Sequence, residues 1–316
     1  MSTTETGTNR HPVVAYATLV RLPNLFTSPP DVVLGAALAS ATAAGTVSIP
    51  EVAGLAVASI LLYAGGTTLN DYVDAEEDAR ERPDRPIPSG DVSRRVALAL
   101  GVALLAGGVV IALLVAGAIA GATAGAVAVA VLLYDGVFKG SPVGFLFMGT
   151  SRGLNVLLGV AAGGVSPVDL PGWVLAVPAV VVLYIAAVTY MAEGETDEAE
   201  AGGDAGSRGP VLAAILGAAV AAAGVVALLA VRAPPVPEAG LAVLLLVGFL
   251  VWVGRPLRAA YVDPAPEVVG PAVGACVLGL TVLDAAFAAT VGVAWAVTTL
   301  AFLAPAVGLS RVFDVT

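Results

Sequence analysis

The chain has 316 residues, of which 58% are hydrophobic and only 12% are charged, and its formal net charge is −10. Soluble domains contain about 25% charged residues, so this composition excludes an ordinary soluble enzyme and a disordered chain. The acidic balance argues against binding to nucleic acid, because phosphate backbones need a basic surface. The single cysteine, Cys276, and the single histidine, His11, leave no basis for an internal disulfide or for histidine-dependent catalysis. Any chemistry must therefore rest on carboxylates, Arg, Lys, Asn and Tyr.

Apolar segments follow one another along the chain, many of them close to the roughly 20 residues that cross a bilayer as a helix. They do not alternate with period two, which excludes the strands of an outer-membrane barrel. The segments cover about 24–44, 51–70, 94–116, 118–134, 143–164, 173–192, 210–231, 240–254, 268–288 and 291–310. The sequence predicts an all-α polytopic membrane bundle of nine to ten transmembrane helices. Residues 1–20 are predicted to be a cytoplasmic N-terminal tail, and 21–316 a single transmembrane domain.

The basic residues predict an orientation. With the N-terminus in the cytoplasm, 12 of the 14 basic residues fall in cytoplasmic segments, as the positive-inside rule requires. Arg232 falls in an outside loop and Arg152 within a span. The sequence therefore predicts a multi-pass protein of the cell membrane whose N-terminus and acidic loops are cytoplasmic.

The second apolar segment leads directly into an acidic stretch. Asp71, Asp74 and Asp78 have the spacing i, i+3, i+7, which places them on one face of a continuing helix, with Asn70 at its edge. Their mutual repulsion and their place at a helix C-terminus favour a bound cation. Carboxylate and amide oxygens are ligands that Mg²⁺ prefers. A solvated acidic loop is the alternative interpretation.

A loop with three prolines and several arginines follows. The guanidinium groups of Arg82 and Arg85 are suited to bind phosphate oxygens. The prolines stiffen this loop, and Gly90 permits a tight turn. Acidic residues that hold a metal, followed at once by arginines, indicate a diphosphate site.

These two stretches together resemble the first signature of the UbiA superfamily of intramembrane prenyltransferases, at its usual place after the second span. The matching residues are Asn70, Asp71, Asp74 and Asp78, then Arg85, Pro86, Pro88, Ser89 and Gly90. The resemblance implies a helical bundle around a central cavity open to lipid. Mg²⁺ and two acidic loops would hold a prenyl diphosphate there, with Asp71 and Asp74 in catalytic positions. The prenyl group would ionise at C1, and an acceptor would attack the allylic cation.

The family's second signature is expected after the sixth span. This chain has Glu193, Asp197 and Glu200 there, at i, i+4, i+7. They are predicted to complete the metal site, although the family usually has Asp, and a solvated acidic linker is the alternative. The altered loop and the Arg152-x-x-Asn155 stretch are also similar to the divergent EboC-like branch.

Lys139 and Arg152 lie between the two signatures, where family members carry basic residues that grip the diphosphate, so the resemblance implies that role for both. A charge within a span costs about 2.5–3.5 kcal/mol on insertion scales, so Arg152 must face the cavity or a partner. The alternative is an Arg152–carboxylate pair that only joins helices. Asn155 lies on the same helical face and is predicted to line the same binding pocket. Asn24, in a stretch that resembles the family's entry into the first span, is predicted to approach the acceptor pocket, with a helix cap as the alternative.

Two lone acids within apolar spans, Asp31 and Asp284, are further candidates for function. The predicted activity is Mg²⁺-dependent transfer of a prenyl group from an isoprenoid diphosphate to an aromatic, quinone-precursor or lipid acceptor within the membrane. Mg²⁺ and arginine would neutralise the leaving group, and an apolar cavity would exclude water. The alternative is a non-catalytic membrane carrier or binding protein for a prenylated or anionic small molecule.

Overall fold

The structure is a computed structural model that describes residues 11–42, 46–165, 169–201 and 207–310, with only the backbone described from 195 to 201. Its helices, in chain order, are α1 Pro12–Leu19, α2 Pro29–Ser40, α3 Ile49–Val73, α4 Ala75–Glu81, α5 Arg94–Leu133, α6 Pro142–Val160, α7 Gly172–Ala201, α8 Arg208–Arg232, α9 Val236–Val262, α10 Pro266–Ala289, α11 Val293–Ala301 and α12 Leu303–Ser310. Short 3-10 turns cover Leu22–Thr27 and Ala161–Gly163, and a π turn covers Tyr134–Phe138.

The predicted N-terminal tail contains a helix. In α1, Ala15 and Leu19 are fully buried and pack against Val92 and Ala97 near the start of α5. The part of the tail from residue 12 onward therefore belongs to the folded domain, because its apolar residues cover the end of the bundle.

The first span lies at the centre of the bundle. Every α2 residue from Pro29 to Ala39 is buried, including Asp31. A close approach to α6 explains this position, since a side chain at Gly35 or at Gly159 would meet the main chain of the other helix. Small residues permit such contacts between membrane helices. Gly35 and Gly159 thus bring Asp31 next to the polar side chains of α6.

Helix α5 contains two spans joined by a tight reversal. The helical backbone breaks at Gly117, which has a φ of +79°. Beyond the break, Gly121 lies against Leu113, although eight residues of straight helix would separate them by about 12 Å. The first half packs along α3, where Gly101 lies against Leu69. This reversal confirms the predicted separate spans at 94–116 and 118–134.

Eight helices among the described residues are long and apolar enough to cross a membrane. One of them, Arg94–Phe138, includes the two halves of α5. The break at Gly117 divides this stretch into two passages, which makes nine, and the first segment, made of the 3-10 turn Leu22–Thr27 and the 12-residue α2, is buried in the bundle but is not one of the eight candidate spans. The last passage is interrupted at Phe302, between α11 and α12. The all-α bundle of nine to ten transmembrane helices is therefore confirmed.

The two ends of the bundle differ in charge. Arg21, the end of α3, the end of α5 and the end of α7 meet at one end, which we call the acidic end. At the opposite end, the Arg232 guanidinium lies 4.9 Å from the centre of the Trp173 ring and 3.5 Å from the Ala41 carbonyl oxygen. Arg232 thus stands apart from the basic residues of the acidic end, as the sequence predicts.

Candidate active site

The first acidic stretch does not lie on one unbroken helix. Helix α3 ends at Val73, and Asp74 forms the turn that leads into α4. Asp71 and Asp78 are each 4% exposed, and both contact Arg85. The Arg85 Nη1 atom lies 3.2 Å from Asp71 Oδ1 and 3.0 Å from Asp78 Oδ2. The predicted three-carboxylate stripe is thus a pair bridged by arginine, with Asp74 on a separate partner.

Arg21 is a site residue for which the sequence analysis predicted no role. Its Nη2 atom donates to Asn70 Oδ1 and to Asp71 Oδ1, both at 3.2 Å. Burial is the largest single influence and lowers the pKa of the Arg21 guanidinium, but Asp71, Tyr63 and Asp135 together raise this pKa above its ordinary value. Arg21 therefore stays charged. The sequence feature that could have identified Arg21 is its place just before the first span, within the stretch that resembles the family.

The end of the second half of α5 contributes two more polar groups to the same place. Asn70 Nδ2 donates to Asp135 Oδ1 at 2.9 Å. The ammonium of Lys139, just after the π turn, forms an ion pair with Asp74 Oδ2. Lys139 therefore lies at the acidic end, where the predicted diphosphate site needs a base.

The second acidic segment contacts the end of α5 through Glu193. The Tyr134 hydroxyl donates to Glu193 Oε1 at 3.0 Å, which joins the end of α7 to the end of α5. Asp197 and Glu200 lie on the backbone of α7, but their side chains lie outside the described residues. Of the second signature, the structure therefore places the Glu193 side chain, against Tyr134 at the end of α5.

A cavity of about 180 Å³ extends from the acidic end into the bundle. Its lining includes Arg21, Tyr63, Asn70, Tyr134, Asp135 and Arg152. A smaller chamber of about 40 Å³ adjoins it and shares Tyr63 and Arg152; it is also lined by Ser28, Ser59 and Asn155. We call this second space the inner chamber. The predicted central cavity is present, and its opening to lipid stays a prediction.

Arg152 lines both spaces, but its charge is already paired. Its Nε atom lies 3.2 Å from Asp31 Oδ2, and its Nη2 atom donates to the Thr27 carbonyl at 2.7 Å. Asn155 Nδ2 donates to the same Asp31 oxygen and to the Ser28 carbonyl, both at 2.9 Å. The geometry thus favours the alternative interpretation of Arg152, a carboxylate pair between helices, over a grip on the diphosphate.

Two predicted binding residues lie apart from these contacts. Arg82 follows α4, and its exposed side chain makes no hydrogen bond or ion pair with the described residues. Asn24 lies in the 3-10 turn, where its carbonyl accepts from the Thr27 hydroxyl at 2.7 Å. The structure therefore brings Arg85, but not Arg82, onto the carboxylates.

The donor set is suited to Mg²⁺ held jointly with a substrate. Among the described side chains, no three His, Cys, Asp or Glu residues gather closely enough to hold a metal by themselves. Mg²⁺ usually binds one or two carboxylates, and phosphate oxygens and water complete its octahedron. The neighbouring Asp71 and Asp78 offer two such carboxylates, and Asn70 and Asp74 provide further hard oxygens beside them. The residues fit the ion.

The fold and the site together define a polytopic membrane protein with carboxylates and cations at one mouth of a buried cavity. Comparison with known sequences then identifies the family. The sequence profile of the UbiA prenyltransferase family matches residues 32–253. The chain belongs to this family.

Curated relatives include proteins named digeranylgeranylglyceryl phosphate synthase. The protein from Natronomonas pharaonis is 39% identical over 132 residues, which are 41% of this chain and 47% of the relative. The protein from Halobacterium salinarum is 35% identical over 199 residues, which are 62% of this chain and 68% of the relative. In its first matches, the chain spans about half the length of the curated relatives.

A solved structure of a UbiA homologue from Archaeoglobus fulgidus, bound to GPP and Mg²⁺, has the same fold. It superimposes with a TM-score of 0.62 over 91% of this chain and 99% of that chain, at 16% identity. At this identity, the likeness concerns the fold.

Proposed function

We propose that this protein transfers a prenyl group from an isoprenoid diphosphate to an acceptor within the membrane, with Mg²⁺. The observation that carries this proposal is the convergence of carboxylates and cations at the acidic mouth of a buried cavity. The first signature, the residue before the first span and the end of α5 all contribute groups there. A prenyl diphosphate needs both environments side by side: the mouth for its anionic head group and the cavity for its apolar tail.

The chain's own residues divide the work at the mouth. Asp71, Asp74 and Asp78, with Asn70, are the proposed Mg²⁺ ligands. Bound Mg²⁺ would neutralise charge that develops on the leaving diphosphate. Arg21, Arg85 and Lys139 contact the same carboxylates, so these cations are the protein's share of that neutralisation.

The second acidic segment is part of the proposal. Glu193, Asp197 and Glu200 would complete the metal site, and the Tyr134–Glu193 hydrogen bond supports this by joining α7 to the cavity wall. Arg82 and Asn24 are the weaker members of the proposed set, because their contacts in the structure lie apart from the carboxylates.

The relatives' name favours a lipid acceptor over an aromatic one. Two relatives share 35–39% identity with this chain and are named for a digeranylgeranylglyceryl phosphate product. A glyceryl phosphate lipid would meet the prenyl diphosphate within the bilayer. We also propose that the acidic end faces the cytoplasm, in line with the distribution of basic residues.

The deciding experiment uses purified protein in lipid nanodiscs with Mg²⁺ and labelled geranylgeranyl or farnesyl diphosphate. The acceptor panel contains a glyceryl phosphate lipid, an aromatic acid and a quinone precursor. We expect prenylated product and released diphosphate, at least 100-fold less product with Asp71→Ala or Asp74→Ala, and none when Mg²⁺ is chelated. The matched control is Glu76→Gln, because Glu76 is exposed and contacts Arg94 at the surface.

The rival function predicts a different outcome. If no acceptor releases diphosphate, while liposomes that contain the protein take up a prenylated or anionic molecule, the protein is a carrier and the enzymatic proposal is wrong.

A further inference from the structure

A group of polar side chains lies deep in the bundle, behind the inner chamber. Asp31 of α2 and Asp284 of α10 are both 0% exposed. Helices α2 and α10 pack against each other, which brings the two carboxyl groups close enough to interact electrostatically. Arg152 and Asn155 of α6 contact Asp31. We call these four residues the polar core.

Full ionisation would leave the polar core with one negative charge in excess. Arg152 is the basic residue whose positive charge acts on both carboxyl groups. Charged groups within a membrane are costly, and a buried charge without a partner is more costly than a buried pair. Two carboxylates against one guanidinium are therefore a poor arrangement at this depth.

The hydrogen-bond partners show which carboxylate oxygens of the polar core lack a donor. Asp31 Oδ2 accepts from both Arg152 and Asn155. Asp31 Oδ1 and both oxygens of Asp284 have no donor among the described residues. Two facing carboxylates cannot bond without a proton, since an ionised carboxylate only accepts. A proton on Asp284 would supply a donor to the remaining oxygen of Asp31.

We propose that Asp31 and Asp284 share one proton, carried by Asp284 and donated to Asp31, which makes the polar core electrically neutral. Asp31 is then the carboxylate that balances Arg152. Asp284 is the neutral acid that completes the hydrogen bonds of Asp31, so the two chemically identical side chains have different roles.

The neutral core determines what the inner chamber accepts. Asn155 Oδ1 and Ser59 Oγ are buried there without a partner among the described residues. Because the charge of Arg152 is balanced, these atoms favour a neutral hydrogen-bonding group, either water or the hydroxyl of an organic ligand. This consequence rests on the proposed function. A neutral inner chamber does not attract the diphosphate, which therefore stays at the acidic end. The two places are well separated, because Ser59 lies eleven residues from Asn70, about 16 Å along α3.

Infrared spectroscopy tests the shared proton directly. Purified wild-type protein at neutral pH should show the carbonyl stretch of a buried, protonated carboxyl group, and Asp284→Asn should remove that band. The control is Asp263→Asn, because Asp263 is exposed at the end of α9 and should not contribute to the band. A wild-type spectrum without the band would overturn the proposal.

Thermal unfolding tests which acid carries the charge. Asp284→Asn keeps a donor for Asp31 and should unfold within a few degrees of the wild type. Asp31→Asn leaves Arg152 unbalanced and should lose most of the folded protein. The double variant Asp31→Asn/Arg152→Met removes both charges and should recover folded protein. Equal damage from the two single Asn variants, or no recovery in the double variant, would overturn the proposal.

The acceptor panel is irrelevant to these measurements, so a failure of the proposed function would leave their outcome intact. The variant Ser59→Ala distinguishes water from an organic hydroxyl as the occupant of the inner chamber. This variant should raise the KM of a hydroxyl-bearing acceptor if the acceptor occupies the chamber. An unchanged KM identifies water as the occupant, with the same neutral core.

Discussion

At the scale of single residues, Arg85 joins two buried carboxylates that come from different helices. Its Nη1 atom contacts Asp71 at 3.2 Å and Asp78 at 3.0 Å. Arg82, three residues earlier in the same loop, is exposed. The sequence predicted the same phosphate-binding role for both arginines. Only the path of the chain after α4 places Arg85, and not Arg82, on the carboxylates.

We expect Arg85→Gln to weaken binding of the prenyl diphosphate. A hydrogen bond to a charged group is worth about 1.5–3 kcal/mol, which corresponds to a loss of about 10–150-fold in kcat/KM. Steady-state assays in nanodiscs measure the change, which should appear in kcat as well as in KM, because Arg85 is proposed both to bind the diphosphate and to neutralise the charge that develops on it. Arg80→Gln is the matched control, since Arg80 is exposed on α4. Equal losses in the two variants would show that only the loop's overall charge matters.

Glu193 tests whether the second acidic segment takes part in the reaction. Its carboxylate is held by the Tyr134 hydroxyl at the cavity wall. If it shares the metal, Glu193→Gln should lower kcat/KM at least tenfold and raise the Mg²⁺ concentration needed for half-maximal activity. Glu267→Gln, at the exposed start of α10, is the control. Wild-type Mg²⁺ dependence in Glu193→Gln would reduce the segment to a linker.

At the scale of elements, the two spans of α5 depend on the backbone of Gly117. Its φ of +79° and ψ of −170° lie in a region that only glycine adopts readily. No atom lies within 4 Å of the position that a Cβ would take, so Gly117→Ala should destabilise by backbone strain alone, about 1–3 kcal/mol. Thermal unfolding measures this. Gly125→Ala, in the ordinary helical part of α5 and equally unobstructed, should not destabilise, and equal losses would contradict the argument.

The contact between α2 and α6 depends on the small size of its glycines, and not on an unusual backbone conformation. A Cβ at Gly159 would lie 2.0 Å from the Val32 carbonyl oxygen. Gly159→Ala must therefore separate the helices and stretch the contacts of Asp31 with Arg152 and Asn155. Overpacking typically costs about 1–3 kcal/mol, and we expect a comparable fall in unfolding free energy. Gly248→Ala in α9, with no atom within 4 Å of its Cβ position, is the control, and a loss of similar size there would refute the explanation.

At the scale of the whole molecule, apolar segment length and charge spacing predicted the bundle, the α5 reversal and the acidic stretch. Bilayer thickness sets span length whatever the tertiary contacts, so these features are local in sequence. The partner of Arg152 is not local, because Asp31 lies 121 residues earlier. Arg21 joins Asp71 through the same kind of long-range contact. The sequence supplied such residues as candidates, and helix packing selected their partners.

The orientation of the bundle is the last prediction, and labelling in cells decides it. Ser89 is exposed beside the acidic end, whereas Val236 is 85% exposed next to Arg232 at the opposite end. If the acidic end is cytoplasmic, a membrane-impermeant maleimide should label Val236→Cys on intact cells, and Ser89→Cys only after permeabilisation. The native Cys276 is 0% exposed and provides the unlabelled background. The reverse pattern would place the acidic mouth outside the cell and show that the arginines around the carboxylates balance local charge and do not report topology.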